Sequence, residues 1–195
     1  GTQDLHEMGG LGRAMPFTAA TWSVGVLALA GLPPLAGFFS KDAVLDAVWS
    51  HAPMAGIVLF GASLLTAFYA FRATRLAFSG TFRGQGHPHE SPWVMRLPLM
   101  GLASLAAVLG FATWWFADTF GGHGGVSLPI AAVSTALGGL GAYAGWTWYR
   151  SGPAVDSQGE QKIGPLWRSA AAAFGIDALV MRGAHEGERL AAVAA

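Results

Sequence analysis

The sequence predicts an all-α, polytopic membrane protein with about four transmembrane helices, the first broken at Pro33-Pro34, and three observations carry this. Hydrophobic residues make up 53% of the 195-residue chain and charged residues only 11%, whereas about a quarter of a soluble domain is charged. Four stretches carry no charge, Ala14 to Ser40, Ala47 to Phe71, Leu97 to Ala117 and Thr119 to Tyr149, and each exceeds the roughly 20 residues with which a helix crosses hydrocarbon. A soluble helix needs a polar face, and these stretches offer none over about six turns.

The opening segment, residues 1 to 15, is expected to be a cytoplasmic loop. Gly1-Thr2-Gln3-Asp4-Leu5-His6-Glu7-Met8 has no initiator methionine, basic region or small-residue cleavage site, so it reads as the interior of a longer chain and not as a signal peptide. Residues 16 to 150 are expected to form the bundle. Its elements are a broken helix over about 16 to 49 and straight spans over about 53 to 78, 94 to 117 and 127 to 150. Loops are marked by Asp46 to Pro53, by the polar Ser79 to Pro92 segment and by Gly121-Gly122-His123-Gly124-Gly125. Trp49, Trp93, Trp114, Trp115, Trp146 and Trp148 fall near span ends, where an interfacial belt places them. Gly138, Gly139, Gly141 and Gly145 predict close helix packing in the last span. Residues 151 to 195 read as a cytoplasmic polar linker followed by an amphipathic helical segment.

The first span is too long for one straight crossing. Phe17 to Gly31 supplies about 22 Å of helix and Phe38 to Trp49 about 18 Å, joined by an irregular link at Leu32 to Gly37. Paired half-helices around an unwound centre are how membrane transporters build ion sites. Ser40 would cap the second half-helix, with Lys41 and Asp42 in its first turn. Lys41 follows an uncharged run from Ala14 to Ser40 and is the one base opposite Arg13, Arg72, Arg75, Arg83, Arg96, Arg150, Lys162, Arg168, Arg182 and Arg189. By the positive-inside rule those ten lie in the cytoplasm, as do both ends of the segment. An ammonium just past a helix break either lines a hydrated interior, where it can load and release a proton, or snorkels to the outer surface beside Asp42. The residues leave both readings open.

Other chemistry is sparse. The 11 basic and 11 acidic residues cancel, which argues against nucleic acid as a partner. Without cysteine there is no thiolate site for a metal or an iron–sulfur cluster, and His87 and His89 share a loop without a third ligand. No metal or cofactor site is expected in this chain. Arg72 and Arg75 read as surface anchors of the second span. Gly9-Gly10-Leu11-Gly12 precedes no lysine or serine that would make it a phosphate loop.

One pattern is more specific. Gly1-Thr2-Gln3-Asp4-Leu5-His6-Glu7-Met8-Gly9-Gly10-Leu11, then Met15-Pro16, then Leu29-Ala30-Gly31-Leu32-Pro33-Pro34-Leu35-Ala36-Gly37-Phe38-Phe39-Ser40-Lys41-Asp42 resembles the antiporter-like L subunit of bacterial NADH:quinone oxidoreductase, respiratory complex I, the counterpart of a mitochondrial ND-type subunit. Phe68-Tyr69-Ala70-Phe71-Arg72 resembles that family's next helix. More loosely, Phe174-Gly175-Ile176-Asp177-Ala178-Leu179 resembles its cytoplasmic segment leading toward a lateral helix. The third and fourth spans match in hydropathy more than in residues.

The resemblance implies a fragment of about the last third of such a subunit, in the inner membrane of a bacterium. Lys41 matches the family's key lysine in the broken helix, at the exit end of a half-channel, and Asp42 the acid beside it. Both are then proton-relay residues. Quinone reduction elsewhere would drive outward proton transfer, with FMN and iron–sulfur clusters in other subunits of the complex. The partners implied are other membrane-arm subunits, the lipid bilayer and protons. As a non-redox part of a translocase, the fragment would not be catalytic alone. The alternative is the large subunit of a multisubunit Na⁺/H⁺ antiporter. Those relatives more often carry glutamate after the serine-lysine pair, so Asp42 and Phe38-Phe39 favour complex I. A membrane scaffold, with Lys41-Asp42 a surface ion pair worth at most about 1 kcal/mol, is the third reading.

Overall fold

The computed structural model describes residues 4–84, 86–112, 127–158, 161 and 164. Among these, every regular element is a helix. In chain order they are α1 (Leu11–Ala14), α2 (Pro16–Ala30), α3 (Ala36–His51), α4 (Pro53–Phe78), α5 (Trp93–Val108, continued by a 3-10 turn at Leu109–Ala112) and α6 (Leu128–Trp148, followed by a 3-10 turn at Tyr149–Ser151). Three are long and apolar enough to cross a membrane, over Pro53–Phe78, Trp93–Ala112 and Leu128–Ser151, while α2 is a shorter apolar helix. Gly1–Gly152 forms one compact unit and Pro153–Ala195 a second, in which residues 154–158 are helical where the sequence suggested linker. The expected span end at Trp114 and Trp115, Asp118, the loop around His123 and the amphipathic segment beyond residue 164 lie outside the described residues.

The first uncharged run folds as two helices. Gly31 ends α2 with φ 73°, and the Gly31 and Leu32 amides return to the carbonyls of Ala28 and Leu27 at 3.0 and 3.2 Å. This is the glycine-terminated helix stop in which two orphan carbonyls are satisfied by the residues that leave the helix. Pro33 and Pro34 have no amide to continue the ladder, so the chain restarts only when Leu35, in extended conformation, leads into α3 at Ala36. The restart is earlier than the sequence suggested. Ser40 is therefore no cap: it lies inside α3 and its hydroxyl donates back to the Gly37 carbonyl at 3.4 Å. Nor do Asp46 to His51 form a loop. No helix breaker precedes Pro53, so α3 runs through His51 and only Ala52 separates it from α4.

Helix α6 packs on α4 through the glycine-rich face that the sequence singled out. A Cβ at Gly141 would lie 2.3 Å from the Leu64 carbonyl oxygen, and one at Gly145 would lie 2.4 Å from that of Phe68. Backbones this close require glycine, which is how apolar helices gain dispersion contacts without a hydrophobic drive between them. Gly138 similarly faces the Ala30 carbonyl at the end of α2, while Gly139 meets nothing within 4 Å. Arg72 and Arg75, on α4, cover the rings of Tyr149 and Trp146 at 4.8 Å each. They tie the two helices together at that end by cation–π contact. The outward faces are apolar, with Val94 80% and Leu102 65% exposed on α5.

The Ser79 to Pro92 loop is fastened to the start of α2. Met15 offers α2 no side-chain cap. Glu90 does instead: its carboxylate accepts from the amides of Phe17 at 2.8 Å and Thr18 at 3.4 Å, and from the Thr18 hydroxyl. A carboxylate there satisfies orphan amides and meets the positive end of the helix dipole. The Thr18 hydroxyl first, then the amides of Phe17, Ser91 and Thr18, hold the Glu90 carboxyl below its ordinary 4.5. A depressed carboxyl stabilises the fold above its unfolded value and loses that contribution as pH falls through its folded value. Below about pH 4.5 the loop should therefore loosen from α2. Glu90→Gln should already show that looser state at pH 7 and respond less to acid, read as protease cleavage within residues 79–92. An unchanged acid response in the variant would count against the cap.

Candidate functional site

The break between α2 and α3 lies beside the charged pair Lys41 and Asp42 in the second turn of α3. α3 buries Asp42 and Leu45 along one stripe, each 2% exposed, and Lys41 lies one residue, hence about 100°, around from it. That turn aims the two side chains at different partners. Lys41 folds back across Gly31, where the missing Cβ makes room: a methyl there would sit 2.9 Å from the lysine Cδ. Its ammonium reaches the last carbonyls of α2, donating to Leu29 O and Ala30 O at 3.4 Å each. The end of a helix carries about half a negative charge, and a cation there gains roughly 0.3–1 kcal/mol, more where partly buried. Lys41 is half-buried.

Asp42 turns the other way. The Ser134 hydroxyl of α6 donates to its Oδ1, while its Oδ2, fully enclosed, has no hydrogen-bond partner among the described residues. Both residues are buried, Ser134 to 3% exposure. No carboxylate oxygen is paired with the Lys41 ammonium within 4 Å among the described residues. The adjacent acid therefore does not clamp the lysine. Helix-end carbonyls hold it instead, which leaves the carboxylate to a second helix.

The junction thus brings together Lys41, Asp42, Gly31 and Ser134, of which the sequence singled out the first two. Ser134 was missed, though a signal existed. It shares one face of α6 with Gly138, Gly141 and Gly145, at spacings of four, three and four, and a lone hydroxyl on a small-residue face points into the bundle. His87 and His89 line a separate surface hollow with Glu7 and Arg83, of about 780 Å³. Among the described residues no three His, Asp or Glu side chains gather as a metal site would require.

Three helices long and apolar enough to cross a membrane, an interrupted apolar run and glycine-tight packing define a membrane helix bundle, and its antiporter-like class comes from the family it matches. Residues 1–66 match the family described as NADH:quinone oxidoreductase/Mrp antiporter, transmembrane. The chain is 41% identical over 134 residues to NADH-quinone oxidoreductase subunit L of Mycobacterium tuberculosis, covering 62% of this chain and 21% of the relative. Against NAD(P)H-quinone oxidoreductase chain 5 of a Picosynechococcus species the identity is 39% over 130 residues, 55% of this chain and 20% of the relative. A chloroplastic subunit 5 of that enzyme from Nephroselmis olivacea is 33% identical over 207 residues, 96% of this chain and 32% of the relative. These matches place the chain among the L-type subunits, also called chain 5 or subunit 5, of the NADH:quinone oxidoreductase family. It spans between 20% and 32% of the length of these relatives.

Proposed function

We propose that the chain is part of a proton-translocating membrane-arm subunit, in which quinone reduction carried out by other subunits drives outward proton transfer and Lys41 is the terminal relay. The observation that carries this is the position of the Lys41 ammonium, 3.4 Å from the Leu29 and Ala30 carbonyls at the broken end of α2. A lysine amine binds and releases one proton. It meets carbonyl dipoles and has no carboxylate within ion-pair distance among the described residues, so it is not locked into an ion pair and a change in nearby charge can tip it either way. The Gly31 turn keeps its stem at the junction between half-helices, where irregular backbone needs polar surroundings.

In this reading FMN and iron–sulfur clusters reside in other subunits. The segment lies in a bacterial plasma membrane with both ends cytoplasmic, it contacts other membrane-arm subunits and lipid, and it does not catalyse redox chemistry by itself. The family description names antiporters beside the oxidoreductase, so the competing reading is secondary Na⁺/H⁺ exchange. Vesicles holding the assembled complex separate the two. Proton uptake on NADH addition without sodium is expected. Proton movement driven by a sodium gradient without any electron donor would overturn the redox-driven reading.

A further inference from the structure

We propose that Asp42 and Ser134 form a carboxyl–hydroxyl dyad that stores a proton inside the bundle, with Ser134 the positioning residue that hydrogen-bonds Asp42 in both its ionised and its protonated forms. The geometry is that of a hydroxyl with two outlets. Ser134 Oγ lies in contact with Asp42 Oδ1 and also 3.2 Å from the Ala131 carbonyl one turn back along α6. A serine hydroxyl has one proton and two lone pairs. When Asp42 is ionised, that proton points at Oδ1. When Asp42 is protonated on Oδ1, the hydroxyl turns: it accepts from the new O–H and donates to the Ala131 carbonyl, giving a short chain of two hydrogen bonds that polarise each other. The step is proton transfer alone. An O–H bond forms at Oδ1 as an O–H bond of a hydronium ion breaks and leaves water, and no electron moves.

A second observation shows why both states are needed. Asp42 Oδ2 is enclosed and unpartnered among the described residues, so the ionised carboxylate rests on one hydrogen bond at 2% exposure. An anion held this sparsely in a buried site is costly, and taking up a proton removes the charge while losing no hydrogen bond.

The surroundings supply little else. α2 and the Leu109–Ala112 turn carry no titratable side chain, α6 carries only Tyr143, and α5 carries Arg96. On α4 are Tyr69, Arg72 and Arg75; α3 itself has Lys41, Asp46 and His51. Of these, Lys41 is the immediate neighbour of Asp42 along α3. The dyad and the lysine therefore answer each other. A proton on Asp42 removes the anion beside Lys41, and loss of the lysine proton removes the cation beside Asp42.

The role of the dyad in transport rests on the relay reading above, but its existence does not. The test is infrared difference spectroscopy of the complete assembled complex between acidic and alkaline pH. Asp42→Asn should remove one protonated-carboxyl band, which assigns it. Ser134→Ala should move that band to higher wavenumber, since its hydrogen bond is gone, and should add no further spectral change to Asp42→Asn. If Ser134→Ala does not assemble, Ser134→Cys, a somewhat larger side chain with a weaker donor, is read the same way. Absence of any Asp42 band, or a band unmoved by removal of the hydroxyl, would overturn the dyad. Pumping is measured on the same samples and is expected to fall roughly two- to ten-fold in either single variant, with no further loss in the double. A shifted band with normal pumping leaves the dyad standing and counts against the relay.

Discussion

Replacing Lys41 with methionine in the complete subunit is expected to cut proton pumping at least about ten-fold while NADH oxidation by artificial acceptors continues, because the loss of a positioned proton-transfer group typically costs a hundred-fold or more. Methionine keeps the length and volume of the lysine stem, so the chain can still fold across Gly31, where the lysine Cδ lies 2.9 Å from the space a methyl would occupy. What disappears is the ammonium at the Leu29 and Ala30 carbonyls. Lys41→Arg sharpens the test. A guanidinium would satisfy the same carbonyls and keep the charge, yet it does not release its proton in a protein. If the charge alone mattered, for instance as a structural plug of the helix end, arginine would restore pumping. If the proton matters, arginine should be nearly as inactive as methionine. Pumping in vesicles, scored against acceptor reduction in the same preparation, gives the answer, and normal pumping in the methionine variant would remove Lys41 from the path.

The residues that were legible in the sequence are those whose signal is local. An uncharged run longer than a bilayer needs, interrupted by Pro33-Pro34, announces two helices and a break, and the structure has α2 and α3 on either side of it. Glycines at 138, 141 and 145 announce tight packing, which the close carbonyls of Ala30, Leu64 and Phe68 explain. Charge position singled out Lys41. What stayed hidden are pairings across many residues. Ser134 meets Asp42 from 92 positions away and Glu90 caps a helix that begins more than 70 residues before it, and although spacing puts Ser134 on the packed face of α6, nothing local names the partner of either residue. The expected Ser40 cap failed for a local reason that sequence can express but did not. Gly37 lets α3 begin against the last turn of α2, so the helix starts at Ala36 and Ser40 is already inside it.

Gly37 is accordingly where a single methyl should do most damage. In Gly37→Ala the new Cβ would fall 1.8 Å from the Ala28 carbonyl oxygen and 2.7 Å from its carbon, both backbone atoms of α2 that no side-chain rotation can clear. The helices must part, at a cost of about 3 kcal/mol, the upper end for overpacking. Gly25 is the control within the same helical hairpin. It lies inside α2 with nothing within 4 Å of its would-be Cβ, so Gly25→Ala should stabilise by roughly 0.5–1 kcal/mol through helix propensity. Opposite signs for the same substitution twelve residues apart, one on each half-helix, isolate the contact from any general effect of alanine. Thermal unfolding of the detergent-solubilised complete subunit reads both. The contact also reaches the site, because Ala28 precedes the two carbonyls that hold Lys41. Pushing α3 away from α2 lengthens those 3.4 Å contacts first. Gly37→Ala should therefore lower pumping even in the fraction that still assembles, whereas Gly25→Ala should leave it intact. A Gly37→Ala protein as stable and as active as the original would mean that the two half-helices are not held in the register described.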